Sequence, residues 1–296
     1  MIPPSIRHPI PHIASPGSAA LRSPTLRASS LGECLQGGST SIHRDRNGRL
    51  LRVFARGRPL ETVAREAASN GIALQAGLPA AAIVAGPLQL DDGRFAIAYA
   101  ASDGVPASRA AAAGTGRAHR RIAAVQARIH ACVDFPDAPP LEQSLSRRIH
   151  AASALSLRQR QDALRLLEDL PGGASVCHGN FNLGEVLFVD APGGHDLVSG
   201  WRNAALGNRW SDVARTLLLI RHVETSLAAP LRWMDSFRRR GWSQAYLAAY
   251  FGACDAATAH EGRRQLCSWL RVNAAARLAE ALGPVQTAAL RRIAAV

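Results

Sequence analysis

The spacing of apolar residues changes character twice along the chain. From residue 31, LGECLQGGSTSIHRDRNGRLLRVFARG carries short apolar stretches separated by a Gly-Gly bend and an Asn-Gly turn at 47–48, then the apolar run Leu50 to Phe54. Such spacing predicts a β-hairpin with a glycine-rich bend. The next stretch, RPLETVAREAASNGIALQAG, places Val63, Ala67 and Ala68 at helical intervals, and Gly71 and Gly77 loosen its far end. AAIVAGPLQLDDGRFAIAYAASDG then returns to strands around an Asp-Asp-Gly turn. Up to residue 104 the pattern therefore reads β, β, α, β, β.

Beyond residue 105 the texture is that of long Ala-, Leu- and Arg-rich helices, expected over 107–132, 141–169, 210–228, 231–251 and 259–282. One stretch interrupts them. Short strands at 174–177 and 185–190, with 195–201 returning, form a small β island among the helices. The whole predicts an α+β fold of two lobes, a small β-rich lobe with one helix over 31–104 and a larger, mainly helical lobe over 105–296. Residues 1–30 are crowded with Pro and Ser and hold no acid, so they are expected as a disordered tail. They lack the continuous apolar core of a signal peptide, and their Arg and Ser content leaves a transit peptide as the other reading.

Composition narrows the classes. The chain is 47% hydrophobic and 19% charged, and no apolar run approaches the roughly 18 residues of a membrane span, so a soluble globular body is expected. The net charge is +13, but all 35 basic residues are arginine and they are spread along the chain. A generally basic surface, open to anionic small molecules or acidic proteins, explains this better than a dedicated nucleic-acid patch. Cys34, Cys132, Cys177, Cys254 and Cys267 are odd in number and far apart, which excludes a disulfide framework or a CxxC knuckle and fits a reducing cytoplasm.

The β island holds a tight polar turn. Within CHGNFNLGEVLFVD, residues 177–190, His178, Asn180, Asn182 and Glu185 fall between two apolar runs. Cys177 and His178 point to opposite faces of a strand, which argues against a thiol–imidazole dyad and gives His178 a buttressing role. The run VCHGNFNLGEVLFVD, followed by VSGWRNAALGNRWSDVARTLLLI, resembles the aminoglycoside phosphotransferase and choline-kinase-like family, whose pattern is HGDxxxxN, then IDW and a downstream D-x-A-R. GRLLRVFARGRPLETVAREAA resembles that family's strand-and-helix pair and AVQARIHA its Leu-His helix end, so the resemblance spans about residues 31–285.

The resemblance implies a protein-kinase-like fold and ATP-dependent phosphotransfer. In that chemistry the protein positions the reactants, neutralises charge with magnesium and accepts a proton from the incoming hydroxyl. The matched positions depart from it. Asn180 stands for the proton-accepting Asp, and an amide cannot carry a proton away. Glu185 stands for the magnesium-binding Asn, while Gly200 stands for the Asp of IDW and supplies no ligand. Arg202 and Asn203 follow where acids are common. A general base is worth about 10²- to 10⁴-fold in rate, whereas magnesium is usually held by one or two carboxylates plus phosphates. His178, Asn180 and Glu185 thus form a degenerate catalytic loop, with Glu185 the one matched metal ligand and Mg2+ poorly supported.

The small lobe matches better. Arg52 falls where a strand cation meets the α/β-phosphates, and Glu66 on the next helix can pair with it. Gly37, Gly38 and Ser39 can bend over the phosphates through backbone N–H groups. Tyr99 and Ala100 stand where a connector offers backbone hydrogen bonds to adenine. ATP remains a candidate cofactor without catalysis. Asp212, in SDVAR, is expected to cap its helix and tie down the loop.

The first expectation is therefore a pseudokinase of two lobes. The alternative is an active small-molecule kinase in which Glu185 holds the metal and Asp190 or Asp196 replaces the lost ligand. A basic interaction protein for nucleic acid stands third. The partner expected is a small molecule or a protein in the cleft, with no specific nucleic acid and no membrane; oligomeric state is not legible in the pattern.

Overall fold

A computed structural model describes residues 26–37, 40–111, 116–191, 193–222 and 229–295. The first lobe is an antiparallel sheet of β1 (Glu33–Gln36), β2 (Thr40–Arg44), β3 (Arg49–Phe54), β4 (Ile83–Gln89) and β5 (Phe95–Ala101), in the order β1-β2-β3-β5-β4. One helix, α1 (Leu60–Gln75), packs against β4 and β5. Three strands precede α1 where the pattern suggested two, because β1 and β2 pair as separate strands on either side of the Gly-Gly segment.

Strand alternation decides what the lobe buries. On β3, Leu50 and Phe54 join Val63 of α1, Ile97 and Tyr99 in one apolar cluster, while Leu51 and Val53 join Leu31, Leu90, Ala96 and Ala98 in another. Arg52 lies between Leu50 and Phe54 and shares their face. On α1 the buried residues Val63, Glu66, Asn70 and Ala73 recur every three or four positions, which makes one stripe. A cation on the strand and an anion on the helix are therefore carried into the same interior.

Residues 26–30, expected in the tail, instead pair with the turn between β4 and β5. Leu26 donates to Gln89 O at 2.8 Å, and its carbonyl accepts from Asp91 at 3.0 Å. Residues 1–25 lie outside the described residues.

The second lobe begins with β6 (Val105–Pro106), α2 (Ala107–Ala111) and α3 (Arg117–His130), which share the first expected helix. The next expected helix is two, α4 (Leu141–Ala151) and α5 (Leu157–Asp169), because Ser156 starts α5 afresh with a capping box to Gln159. The β island follows as β7 (Ser175–Cys177), β8 (Val186–Phe188), β9 (Leu197–Val198) and β10 (Ala205–Gly207), with β10 paired to β7 and β8 between β6 and β9. These two small sheets set the 178–185 loop beside the 199–204 loop.

Helices α6 (Arg209–Arg221), α7 (Ala229–Gly252), α8 (Ala256–Arg277) and α9 (Pro284–Ala294) complete the lobe. The sequence pattern missed α9, although Pro284 at its first turn after Gly283 is an ordinary helix-start signal. Helix α6 is buried nearly all round, as a central helix must be. Among the described residues no helix is long and apolar enough to cross a membrane.

Trp210 anchors this packing. Its fully buried indole stacks on Phe251, meets Tyr250 edge-on and lies against Gly262 so closely that a Cβ there would sit 2.3 Å from ring carbons. Alanine at an open helix position usually gains roughly 1 kcal/mol over glycine. Here Gly262→Ala is expected to lose about 1–3 kcal/mol through overpacking, read as a lowered midpoint in urea unfolding.

Candidate active site

The site is assembled from β3, α1 and the two loops of the β island. Arg52 is 4% exposed and Glu185 8% exposed. The guanidinium fork grips the Glu185 carboxylate, Nη1 to Oε2 at 2.7 Å and Nη2 to Oε1 at 3.1 Å. Ser199 Oγ accepts from Arg52 Nη1 and donates to Glu185 Oε2, both at 3.1 Å. On the other side Arg52 Nε lies 2.8 Å from Glu66 Oε1, an ion pair rather than an aligned hydrogen bond. Glu66 Oε2 in turn takes Arg202 Nη1 at 3.0 Å.

Two arginines and two glutamates thus make one neutral chain across the lobes. Burial alone would push the Glu185 carboxyl up, but the Arg52 cation and its hydrogen bonds outweigh this and hold it below the usual glutamate value. The same two glutamates hold Arg52 charged despite its own burial. Removing one member of such a buried set typically costs about 3–5 kcal/mol, since a partner is left charged and dry.

Gly200 explains how Glu185 fits. Its φ is +82°, a backbone that side chains rarely adopt, and a Cβ built on it would lie 2.7 Å from Glu185 Cδ and closer still to Oε2. The Glu185 carboxylate therefore fills the space that a side chain at position 200 would need. Its charge is already committed to Arg52.

The 178–180 turn is held by Asp212. His178 N and Gly179 N donate to its two carboxylate oxygens at 3.0 and 2.8 Å. Gln126 Nε2 adds a bond at 3.0 Å and His130 Nε2 one at 3.1 Å, both to Oδ2. Tyr246 and Tyr250 brace Gln126 and His130 from α7. The expectation that Asp212 caps α6 needs correcting, because Asn208 accepts from Trp210 N as the cap and Asp212 is left to hold the loop. The AVQARIHA segment holds Gln126 and His130, but nothing in its local pattern names Asp212 as their partner.

His178 is fully buried and positions backbone. Its Nε2 donates to Ser199 O at 2.8 Å, its Nδ1 accepts from Asn180 N at 3.3 Å, and burial lowers its pKa so that it stays neutral. Cys177 is buried beside it with a raised thiol pKa, again from burial first. Asn180 Oδ1 accepts from Arg215 Nη2 at 2.8 Å. Sequence reasoning passed over Arg215, although it ends the SDVAR motif, and gave Ser199 no role.

The nucleotide-binding expectations fare unevenly. Gly37 is exposed, and Gly38 and Ser39 lie outside the described residues. Tyr99 and Ala100 are not in a connector. Tyr99 pairs with both Leu50 and Ile83, and Ala100 N donates to Ala82 O at 2.8 Å, because β5 runs on to Ala101. Asp190 and Asp196 bind Arg121 at the turn after β8, and Asp196 takes it at 2.6 and 3.0 Å. Neither is among the partners of Arg52 or Glu185. Above the loop, Gln36 of β1 donates to Gly184 O at 3.3 Å and accepts from Ser108 Oγ at 2.7 Å.

A two-lobed molecule with a strand cation, a helix glutamate and an aspartate-held His-Gly turn has the frame of a kinase-type phosphotransferase. The chain belongs to the phosphotransferase enzyme family, whose model matches residues 39–266. Among solved structures it is similar to a choline/ethanolamine kinase family protein from Mesorhizobium loti, with 16% identity, 90% of this chain and 86% of that one covered, and a TM-score of 0.53. An ethanolamine kinase from Plasmodium vivax matches at 10% identity over 89% and 82% of the two chains, with a TM-score of 0.56. An amicoumacin kinase solved in complex with AMP-PNP and Ca2+ matches at 12% over 92% and 88%, with a TM-score of 0.55. At these identities the likeness is one of fold. None of the curated proteins matches the sequence significantly.

Two outcomes follow from this geometry. The Asp212 carboxyl, which burial alone would raise, is held at about 2 against an ordinary 3.8 by its hydrogen bond to His130 first, with Gln126 and the backbone N–H of His178 adding theirs. Its stabilisation is complete above the ordinary value and disappears as pH falls through that window, a loss of roughly 2 kcal/mol. Asp212→Asn should be less stable at neutral pH and show a flatter stability profile across the same window, by urea titration at stepped pH. Secondly, Gly200→Asp should destabilise by at least about 2 kcal/mol from strain and crowding, and the loss in Glu185→Asn/Gly200→Asp should be smaller than the sum of the two single losses, because the shorter amide clears the space beside position 200 and the new carboxylate offers Arg52 an anion. Additive effects in a double-mutant cycle would refute the shared space.

Proposed function

We propose that this protein is a pseudokinase of the phosphotransferase family, one whose cleft holds its two lobes together through an ion-pair chain where an active relative would hold a metal–nucleotide complex. The fork of Arg52 on Glu185 carries this reading. The cation suited to phosphate and the one acid at a matched metal position neutralise each other. Magnesium finds poor donors at the matched positions: Gly200 contributes none, Asn180 offers an amide already bonded to Arg215, and the Glu185 carboxylate is gripped by Arg52. Asn180 also lacks the basicity to accept a proton from a hydroxyl.

ATP fits little better, since Arg52 is engaged and the backbones of Tyr99 and Ala100 belong to the sheet. We read any nucleotide binding as weak and independent of metal. The five cysteines are free thiols, in keeping with the reducing cytoplasm we infer for it.

One observation favours a second reading, an active kinase with rewired ligands. The Glu185 carboxylate stands in the space that a side chain at position 200 would take, so a single acid could serve there if Arg52 released it. Neither Asp190 nor Asp196 serves as its companion, because both are engaged by Arg121.

A thermal-shift series with ATP, with and without Mg2+, separates the two. The pseudokinase reading expects a small shift that magnesium does not enlarge, and no γ-phosphate release above background with choline, ethanolamine or an aminoglycoside as acceptor. Magnesium-dependent stabilisation together with turnover that Glu185→Ala abolishes would overturn it.

A further inference from the structure

A cavity of about 680 Å³ opens beside the 178–180 turn, walled by α1, α4, the 135–139 segment, the start of α6 and the end of α8. Its lining includes Gly179 and Arg215 and touches the ion-pair chain at Arg202 alone, with none of Arg52, Glu66, Glu185 or Ser199, so it is a space beside that chain. Its volume suits a small metabolite. Its charge is unusual.

Arg148, Arg215 and Arg277 all pair with one carboxylate, Glu280. Three cations thus share a single anion. Burial, followed by the Arg215 charge, depresses the Arg148 pKa to about 10, as expected where positive charge is crowded and only partly compensated. The Arg215 side chain lines the cavity and is only 6% exposed, yet its Nε and Nη1 have no acceptor. Buried donors of this kind are normally satisfied, so unpartnered ones in a cavity wall point to something that completes them. The remaining Arg215 nitrogen, Nη2, donates to Asn180 Oδ1 and to Glu280 Oε1, each at 2.8 Å. An aspartate at position 180 would have supplied a negative charge there; the amide supplies none. Arg65 and Arg147 extend the positive wall towards solvent.

We propose that this cavity binds a small molecule through a phosphate dianion, received by Arg215 and Arg148 next to Asn180, with Arg277 behind them. Guanidinium groups bind phosphate through paired, charge-assisted hydrogen bonds, and a dianion offsets the excess of the three cations over Glu280. The acid missing from the catalytic position is thereby given a second consequence: the same residue that cannot take a proton leaves Arg215 free to hold an anion. This inference stands whether or not the ion-pair chain permits phosphotransfer, because the two sites share no side chain that it uses.

The test needs no nucleotide, so its failure is distinguishable from that of the pseudokinase reading. Inorganic phosphate and glycerol 3-phosphate are titrated calorimetrically and by thermal shift at constant ionic strength, with glycerol as the uncharged control. Saturable binding of either phosphate, with none of glycerol, is expected. Tighter binding of the ester identifies a phosphomonoester as ligand, and tighter binding of the free ion identifies phosphate itself. Arg215→Gln should weaken binding at least tenfold, and Arg147→Gln, an exposed rim change that leaves the fold intact, should weaken it a few-fold. If Arg215→Gln does not fold, crystals of the wild-type protein soaked in tungstate locate the site directly. An anomalous peak between Arg148 and Arg215 supports the proposal. Absence of saturable binding, unchanged affinity in folded Arg215→Gln, or a tungstate peak confined to another site overturns it.

Discussion

The clasp of Arg52 on Glu185 is the constraint from which most of the molecule's chemistry follows. An arginine cannot lose its proton in a protein, so a buried one must be given anions, and here it receives Glu66 from the helix and Glu185 from the loop. Once Glu185 has moved into that role, position 200 has to be a glycine, since nothing larger fits beside the carboxylate. Positions 185 and 200 are therefore coupled in space, the acid of one loop occupying the room that a side chain of the other would need.

A second network is independent of the first. Asp212 gathers two backbone N–H groups, a glutamine and a histidine around one carboxylate, and the tyrosines of α7 close the ring. Such a set keeps the turn at 178–180 in shape whether or not any reaction occurs there. The shape of the loop and the chemistry of its side chains therefore rest on different residues.

Much of the architecture was legible from the pattern of apolar residues. The two lobes, the turn of the β island and the pairing of Arg52 with Glu66 could be read because strand alternation and helical spacing each place one residue on a buried face. The break at Ser156 was legible in principle, being a local capping signal, while the extent of β5 was not, since AYAAS reads equally well as strand or connector. Least legible were the partnerships made across long separations. Glu185 and Arg52 are 133 residues apart and Arg215 and Glu280 are 65 apart, and no local rule links such positions. The resemblance to a family pointed to Glu185 as a matched position, but only the fold shows its carboxylate in the grip of the arginine.

Gln36 adds a further tie between the lobes. Through Gly184 and Ser108 it fastens the outermost strand to the larger lobe, while Arg52–Glu185 and Arg202–Glu66 cross the same gap. Enzymes that exchange nucleotides open and close on microsecond to millisecond timescales, and each opening of this molecule would have to rupture dry ionic contacts. Any motion that parts the two lobes is therefore coupled to the loss of three contacts at once.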